Sequence, residues 1–356
     1  MGIRPATVLR ATAISAAAVG LASVAYQKLG DARDRDRYPP PGELVDIGGR
    51  RLHMVRMGTG GPAVVIEPCL GGTAAEWAYV QRDLAEATTV ITYDRAGLGW
   101  SDPAPRWRRR TASLLADDLH RLLVAAEVPP PYLLVGASMG GYLIRLYQAH
   151  HLELVCGMVF SDSSHLDQEH RIPRELTVND RRVRAARLWL RPWGLRRLGV
   201  DLGLRHDGAR PRAEQLLPAD LVDGYVAMGR ASKQLRADVQ EMLWMGRMAA
   251  EVRAEVPVAA DGLGELPLTV LVSSEIAPGL TGYWAEWRRR TYPTWTVLQR
   301  EHAALSTNSV HMVAESAGHH LHHDDRVFVV SAIREQVQRC RGTLDRVALN
   351  EQESGQ

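Results

Sequence analysis

The sequence predicts an α/β fold in which a mostly parallel central sheet is flanked by helices. Short apolar runs alternate along the chain with segments whose apolar residues recur at helical spacing. These runs are continuously apolar, which is typical of parallel strands buried on both faces. The runs predicted as strands are residues 44–47, 52–57, 63–67, 88–93, 133–135, 155–161, 268–273 and 310–315.

An insertion interrupts this alternation in the second half of the chain. Residues 163–265 show helical periodicity and no clear strand. The predicted core therefore comprises residues 43–162 and 266–340, with a helical insertion between its two parts. Residues 341–356 are polar and are predicted to form a tail outside the core.

The N-terminal segment precedes this core. It carries Arg4 and Arg10, which are followed by an uncharged, alanine-rich run. Residues 1–30 are therefore predicted to form a hydrophobic membrane anchor. A cleaved signal peptide, which would leave a secreted protein, and a soluble alanine-rich helix are the alternatives. Residues 31–42 mix aspartates with arginines and end in a Pro-rich stretch, which predicts a linker.

The charge balance argues against a nucleic-acid-binding protein. The chain has 43 Lys and Arg residues against 41 Asp and Glu residues, so it carries no basic excess. Its three cysteines, Cys69, Cys156 and Cys340, are too few and odd in number to form a disulfide framework. Small buried side chains are the role predicted for Cys69 and Cys156, because both flank apolar runs.

The motif that carries chemistry is Gly136-Ala137-Ser138-Met139-Gly140, of the form G-x-S-x-G. An apolar run precedes it and a helical pattern follows it, so Ser138 is predicted to lie at a strand-to-helix turn. Such a turn projects the serine hydroxyl above the sheet, and its flanking glycines let the chain pass close to itself. The backbone N–H of Met139 opens the helix and can donate to an oxyanion. Ser138 is therefore the candidate nucleophile.

Three motifs in this chain order resemble the α/β-hydrolase family. They are Leu70-Gly71-Gly72 after a predicted strand, the Gly-rich loop from Asp94 to Asp102, and the G-x-S-x-G motif at 136–140. The resemblance covers residues 43–163 and 266–340. It implies that the helical insertion is a cap at the substrate entrance and that the Asp94–Asp102 loop braces the site without taking part in the chemistry.

The resemblance also implies a second oxyanion donor and a base. The donor is the backbone N–H of Leu70, although Pro68-Cys69 stands where relatives commonly carry His-Gly or Ala-Gly. In this fold the triad follows the chain order serine, acid, histidine, so the base lies after the last strand. His319 follows Gly318 there and resembles the Gly-His of the family, which makes it the predicted base.

The triad acid has two candidates. Asp162 follows the strand predicted at 155–161, a position that some α/β-hydrolases use. The commoner position follows the next strand, where Ser273-Ser274-Glu275 offers only Glu275. The missing aspartate at that second position favours Asp162, and Glu275 stays the alternative.

The histidine-rich stretch His319-His320-Leu321-His322-His323 also suggests a metal site. Metal ligands need convergent geometry and further partners, and the sequence shows no second cluster of ligands. We therefore expect no metal and no cofactor.

Together these residues predict a serine hydrolase that cleaves a carboxylic ester through an acyl-enzyme intermediate. Ser138 would attack, His319 would carry the proton and Asp162 would hold the imidazole. A serine at the turn argues against dehalogenase or epoxide hydrolase chemistry, which in this fold resembles enzymes with an aspartate nucleophile. The expected substrate is a small, apolar acyl compound. The alternatives are acyl transfer, amide or carbon–carbon hydrolysis, cofactor-free perhydrolysis, and a non-catalytic binding protein tethered to a membrane.

Overall fold

The computed structural model describes residues 5–105, 108–177, 181–183, 185–186, 193–204, 206–256, 262–274 and 281–354. Its strands are β1 (Glu43–Asp46), β2 (Arg51–Met57), β3 (Ala63–Glu67), β4 (Val90–Tyr93), β5 (Tyr132–Ala137), β6 (Val155–Ser161), β7 (Leu268–Val272) and β8 (Ser309–Val313). Within the described residues they form one sheet in the order β1-β2-β4-β3-β5-β6-β7-β8. The strands from β3 to β8 pair in parallel, whereas β2 is antiparallel to both of its neighbours.

Helices cover the sheet and fill the insertion. The main helices of the described residues are α1 (Pro5–Arg37), α2 (Ala78–Leu84), α3 (Ala112–Ala125), α4 (Gly140–His150), α5 (Gln168–Arg171), α6 (Trp193–Asp201), α7 (Ala209–Leu216), α8 (Ala219–Gly229), α9 (Ser232–Glu255), α10 (Gly282–Ala303), α11 (Leu321–Asp324) and α12 (Arg326–Ser354). The predicted α/β class, with its mostly parallel sheet, is confirmed.

Both faces of the sheet are buried, as the continuous apolar runs predict. In β3, Val64 and Ile66 belong to the cluster on one face and Val65 belongs to the cluster on the other, and all three are fully buried. A sheet with two covered faces leaves the loops at the carboxyl ends of its strands as the place where polar side chains can converge.

The insertion between β6 and β7 packs against helices α3 and α4 through its longest helix, α9. Met245, Met248 and Val252 of α9 form an apolar cluster with Leu143 and Leu146 of α4. Burial of these side chains fixes one end of the insertion against the body of the protein. The predicted cap, residues 163–265, is helical wherever its secondary structure is regular in the described part.

The N-terminal helix extends further than the sequence predicts. The linker prediction for residues 31–42 is wrong as far as Arg37, because α1 continues to that residue. An ion-pair cluster connects this part of α1 to the insertion: Arg197 contacts Asp34 at 2.7 Å and Asp31 at 3.1 Å. The aspartates and arginines of this segment therefore form inter-element contacts and not only a solvated face.

No helix among the described residues is long and apolar enough to cross a membrane. The anchor predicted for residues 1–30 stays a prediction.

The C-terminal segment is also more ordered than predicted. The tail predicted at 341–356 is helical as far as Ser354, because α12 continues through it. Arg341 donates hydrogen bonds to the carbonyl oxygens of Gly61 and Ala87 at 3.0 and 2.9 Å, which fixes the start of this segment to the body.

Candidate active site

Ser138 lies at the turn between β5 and α4, where the G-x-S-x-G motif places it. Its φ is 51°, in the left-handed region that non-glycine residues rarely adopt. The turn is held by the Ser138 N–H, which donates to the carbonyl of Ser161 at 3.2 Å, and by its carbonyl, which accepts from Gly141 at 3.0 Å. Strained backbone of this kind concentrates at functional sites, where the surrounding structure holds it in place.

The glycines of the motif are required by close backbone approach. A Cβ at Gly140 would lie 2.3 Å from the carbonyl oxygen of Glu67 at the end of β3. A Cβ at Gly136 would lie 2.9 Å from the backbone of Gly140. The turn can therefore pack this tightly only with hydrogen at both positions.

His319 lies in the loop after β8 and contacts Ser138. The distance between its Nε2 and the Ser138 Oγ is 2.9 Å. Its other ring nitrogen, Nδ1, lies 2.6 Å from Oδ2 of Asp162. The loop is braced nearby, because the N–H of Gly318 donates to the Asp324 carboxylate at 2.8 Å. The imidazole thus bridges the serine hydroxyl and a carboxylate, as a hydrolytic triad requires.

Asp162, at the end of β6, is fully buried and has three hydrogen-bonding groups around its carboxylate. Besides His319, its Oδ1 accepts from the N–H of Ser273 at 3.0 Å and from the indole N–H of Trp295 at 2.8 Å. Burial by itself would raise the pKa of Asp162. The hydrogen bond and charge of His319, the positive charge of Arg288 and the Ser273 amide outweigh burial, so the pKa lies below its usual value of 3.8. Asp162 therefore stays an anion beside the imidazole.

The structure brings together Ser138, His319 and Asp162, three of the residues that the sequence selects. The alternative acid, Glu275, lies outside the described residues.

The predicted oxyanion donors, Leu70 and Met139, lie at the same end of the sheet. Leu70 follows β3 and packs against the apolar cluster that contains Met139. Met139 directly precedes α4 and has helical backbone angles, φ −55° and ψ −29°. Within the described part of the chain, neither backbone N–H donates to a protein acceptor. Both amides are therefore able to donate to a bound oxyanion.

A buried ion-pair network holds the loop that contains Leu70. Arg95 donates to the carbonyls of Pro68 and Cys69 at 2.9 and 2.7 Å, and to the carboxylate of Glu67 at 2.7 Å. Glu241, from helix α9 of the insertion, accepts from Arg95 at 2.8 Å and from the N–H of Gly71 at 2.7 Å. The insertion is thereby tied directly to the predicted oxyanion loop.

The Asp94–Asp102 loop has the bracing contacts that the resemblance implies. Asp94 is fully buried, lies 2.7 Å from His53, and accepts from the N–H groups of Ala74 and Trp100 at 2.8 and 2.9 Å. These contacts hold two loops together and leave no free carboxylate oxygen for chemistry.

Sequence reasoning missed two residues that support the site. Trp295, on α10, contacts Asp162. The apolar periodicity of α10 does not distinguish this tryptophan from an ordinary core residue. Glu241 pairs with Arg95 across 146 positions, and a single charge on a helix looks the same in sequence whether it is solvated or buried.

Comparison with known proteins agrees with this fold. Residues 62–191 match the model of the alpha/beta hydrolase fold family. A thermophilic esterase from Thermogutta terrifontis superposes with a TM-score of 0.58 over 83% of this chain and 97% of that chain, at 19% identity. This chain has the α/β-hydrolase fold. At this identity, the likeness to the esterase concerns the fold alone.

Among curated proteins, part of this chain resembles parts of several others. It is 37% identical over 137 residues to the probable transporter efuK of Hormonema carpetanum, which is 37% of this chain and 19% of that protein. It is also 37% identical over 106 residues to an AB hydrolase superfamily protein of Gibberella zeae, 29% of this chain and 33% of that protein. The aligned segments span between 19% and 42% of the length of the first curated relatives.

Proposed function

We propose that this protein is a serine hydrolase that cleaves a carboxylic ester through an acyl-enzyme intermediate. The observation that carries the proposal is the continuous contact from the Ser138 Oγ through His319 to the Asp162 carboxylate, at 2.9 and 2.6 Å. A serine hydroxyl is a weak nucleophile, and a hydrogen-bonded imidazole is the group that removes its proton during attack.

In the proposed reaction, Ser138, His319 and Asp162 all act in both acylation and deacylation. Ser138 Oγ forms a bond to the acyl carbon as its proton passes to His319 Nε2. The imidazolium then gives that proton to the leaving alcohol oxygen, and the ester C–O bond breaks. A water molecule repeats the sequence on the acyl-enzyme, again losing a proton to His319, and the Ser138 oxygen leaves. Asp162 remains ionised throughout, because its low pKa keeps it an anion that stabilises the imidazolium.

The two backbone N–H groups of Leu70 and Met139 are proposed to stabilise the tetrahedral oxyanion. Loss of one such donor typically costs about 3 kcal/mol of transition-state stabilisation. Arg95 and Glu241 act indirectly, because they fix the carbonyls and the amide that flank Leu70.

A cavity beside Leu70 supports a small substrate. Its volume is about 310 Å³, at the lower end of the range for small-molecule sites. Its apolar lining, which includes Leu70, Leu216 and Met242, adjoins the predicted oxyanion loop, whereas Ser138 and His319 do not line it. Its polar lining comes from Glu76, Arg212, Asp238, His320 and His323. We propose that the substrate is a short-chain ester whose apolar acyl group binds beside Leu70.

Labelling with a serine-directed fluorophosphonate tests the nucleophile. We expect the wild-type protein and a Ser331→Ala control to label, since Ser331 lies on the exposed face of α12. Folded Ser138→Ala protein should not label and should lose hydrolysis of p-nitrophenyl esters by at least about a thousandfold. Unchanged labelling of Ser138→Ala would refute the proposal.

The assay also separates the alternatives that share the triad. Turnover of amides or transfer to added alcohols at rates above ester hydrolysis would assign another reaction to Ser138. Absence of both labelling and turnover in folded wild-type protein would favour a binding protein that retains the fold.

A further inference from the structure

The structure places a carboxylate next to the histidines that follow His319. Glu76 lies in the turn at Ala74–Trp77, and His322 and His323 lie in α11. One potential ligand atom from each of the three lies within 4.8 Å of the other two. We propose that Glu76, His322 and His323 bind a divalent transition-metal ion, with Zn²⁺ as the best fit.

The sequence alone offered no partner for these histidines. Glu76 is separated from them by more than 240 positions, and the fold brings it to them because α11 packs at the same end of the sheet as the Leu70 loop. Trp77, the neighbour of Glu76, stacks on the His322 ring with centroids 4.2 Å apart and planes inclined by 12°. This stacking fixes the orientation of one ligand before any ion arrives.

The second observation that points to a ligand is the state of His322. Its side chain is 3% exposed, and its Nε2 is buried without a hydrogen-bond partner among the described residues. A buried polar nitrogen without a partner costs free energy, and a bound metal ion would remove that cost.

The chemistry of the three residues suits a transition metal. Neutral imidazole and ionised carboxylate are the forms of these side chains that bind metal, so metal binding releases any proton that a ligand carries beforehand. Two imidazoles and one carboxylate form a common three-residue Zn²⁺ set, with a water molecule completing a tetrahedron.

The required movement is small. Tetrahedral Zn²⁺ with bonds of about 2.0–2.1 Å keeps its ligand atoms about 3.3 Å apart. Glu76 and His323 are only partly buried, so rotation of these two side chains can close the gap around the fixed His322 ring. The hydroxyl of Tyr225 donates to Oε1 of Glu76 at 2.9 Å.

Such an ion would connect the two loops of the candidate active site. His322 lies three residues after His319, and Glu76 lies six residues after Leu70. We expect metal binding to stiffen both loops. Any effect of the metal on turnover rests on the proposed hydrolase function, whereas metal binding itself is independent of that function.

The test is metal titration of the full chain, purified without a polyhistidine tag and freed of metal with a chelator. Calorimetry with Zn²⁺ should show one equivalent bound, and Co²⁺ should give the visible absorption of a tetrahedral site. His323→Ala and Glu76→Gln should each weaken Zn²⁺ binding by at least about tenfold. His311→Ala, which changes an exposed histidine on β8, should bind as the wild type does.

Two results would overturn the proposal. One is the absence of stoichiometric Zn²⁺ binding to folded wild-type protein. The other is equal affinity in the wild type, His323→Ala and Glu76→Gln, with folding of the variants checked by circular dichroism. Ser138→Ala should retain full Zn²⁺ affinity, so failure of the hydrolase proposal and failure of the metal site are distinguishable.

Discussion

The indole N–H of Trp295 donates to Oδ1 of Asp162 at 2.8 Å, while His319 contacts Oδ2 of the same carboxylate at 2.6 Å. Trp295 also lies edge-on to the His319 ring, with centroids 6.0 Å apart. Trp295→Phe removes the donor and keeps an aromatic ring. Because a hydrogen bond to a charged group contributes about 1.5–3 kcal/mol, we expect kcat for a p-nitrophenyl ester to fall roughly tenfold or more.

Trp287→Phe is the matched control, because Trp287 lies on the same helix and its indole donates to the carbonyl of Leu176. The control should keep kcat near the wild-type value. KM should change little in Trp295→Phe, since the predicted defect is in the orientation of Asp162 and His319. An equal loss of kcat in both variants would show that the effect comes from helix α10 and not from the carboxylate contact.

The identity of the triad acid gives the second prediction. Asp162→Asn should lower kcat by about 10³–10⁴-fold, because an amide cannot stabilise the imidazolium and favours the wrong tautomer. Glu275→Gln should keep activity within about twofold of the wild type, since Asp162 already occupies His319 Nδ1. Steady-state kinetics on both variants decides the matter, and a large loss confined to Glu275→Gln would contradict the assignment.

This choice also shows what the sequence could and could not supply. The strands and the position of Ser138 follow from local patterns: apolar runs, glycines and a change to helical spacing. His319 follows from chain order. For the acid, the sequence favours Asp162 but leaves Glu275 as an alternative, because β6 and β7 are adjacent parallel strands that end at the same edge of the sheet. Only the position of the carboxylate relative to the imidazole distinguishes them.

Charged residues were the other point at which sequence reasoning failed. Asp31 and Asp34 look like part of a solvated charge run, yet both pair with Arg197. Glu241 is a single acidic residue on a helix and is fully buried against Arg95 and Arg110. Partners so distant in the chain leave no periodic signal, so such pairs are visible only in the folded protein.

Glu241→Gln gives the third prediction. The substitution removes the charge that Arg95 and Arg110 share and leaves Glu67 to balance Arg95, so the buried guanidinium of Arg110 loses its partner. We expect a loss of about 3–5 kcal/mol in the free energy of unfolding. Urea denaturation at pH 7 measures it. Glu255→Gln, on the same helix, is the control: its pair with His150 is exposed and should contribute less than about 1 kcal/mol.

The same residue predicts a pH dependence. Burial by itself would raise the pKa of Glu241, but Arg95, Arg110 and the Gly71 amide lower it from 4.5 to about 2. A carboxylate with a depressed pKa stabilises the fold above its unfolded-state pKa, and that contribution is lost as pH falls from about 4.5 to 2. The stability gap between wild type and Glu241→Gln should therefore be largest near pH 7 and smaller at pH 3. A gap that does not change with pH would contradict this charge state.

The glycine at the end of the elbow motif gives the last prediction. A Cβ at Gly140 would lie 2.3 Å from the Glu67 carbonyl, which belongs to a strand in the middle of the sheet and cannot move away cheaply. We expect Gly140→Ala to abolish ester hydrolysis and to lower the unfolding midpoint in urea. Gly208→Ala is the control, because a Cβ there meets no atom within 4 Å and its φ of −62° suits any residue. Wild-type activity in Gly140→Ala would mean that β3 and the turn at Ser138 are not in the close contact on which the geometry of the nucleophile depends.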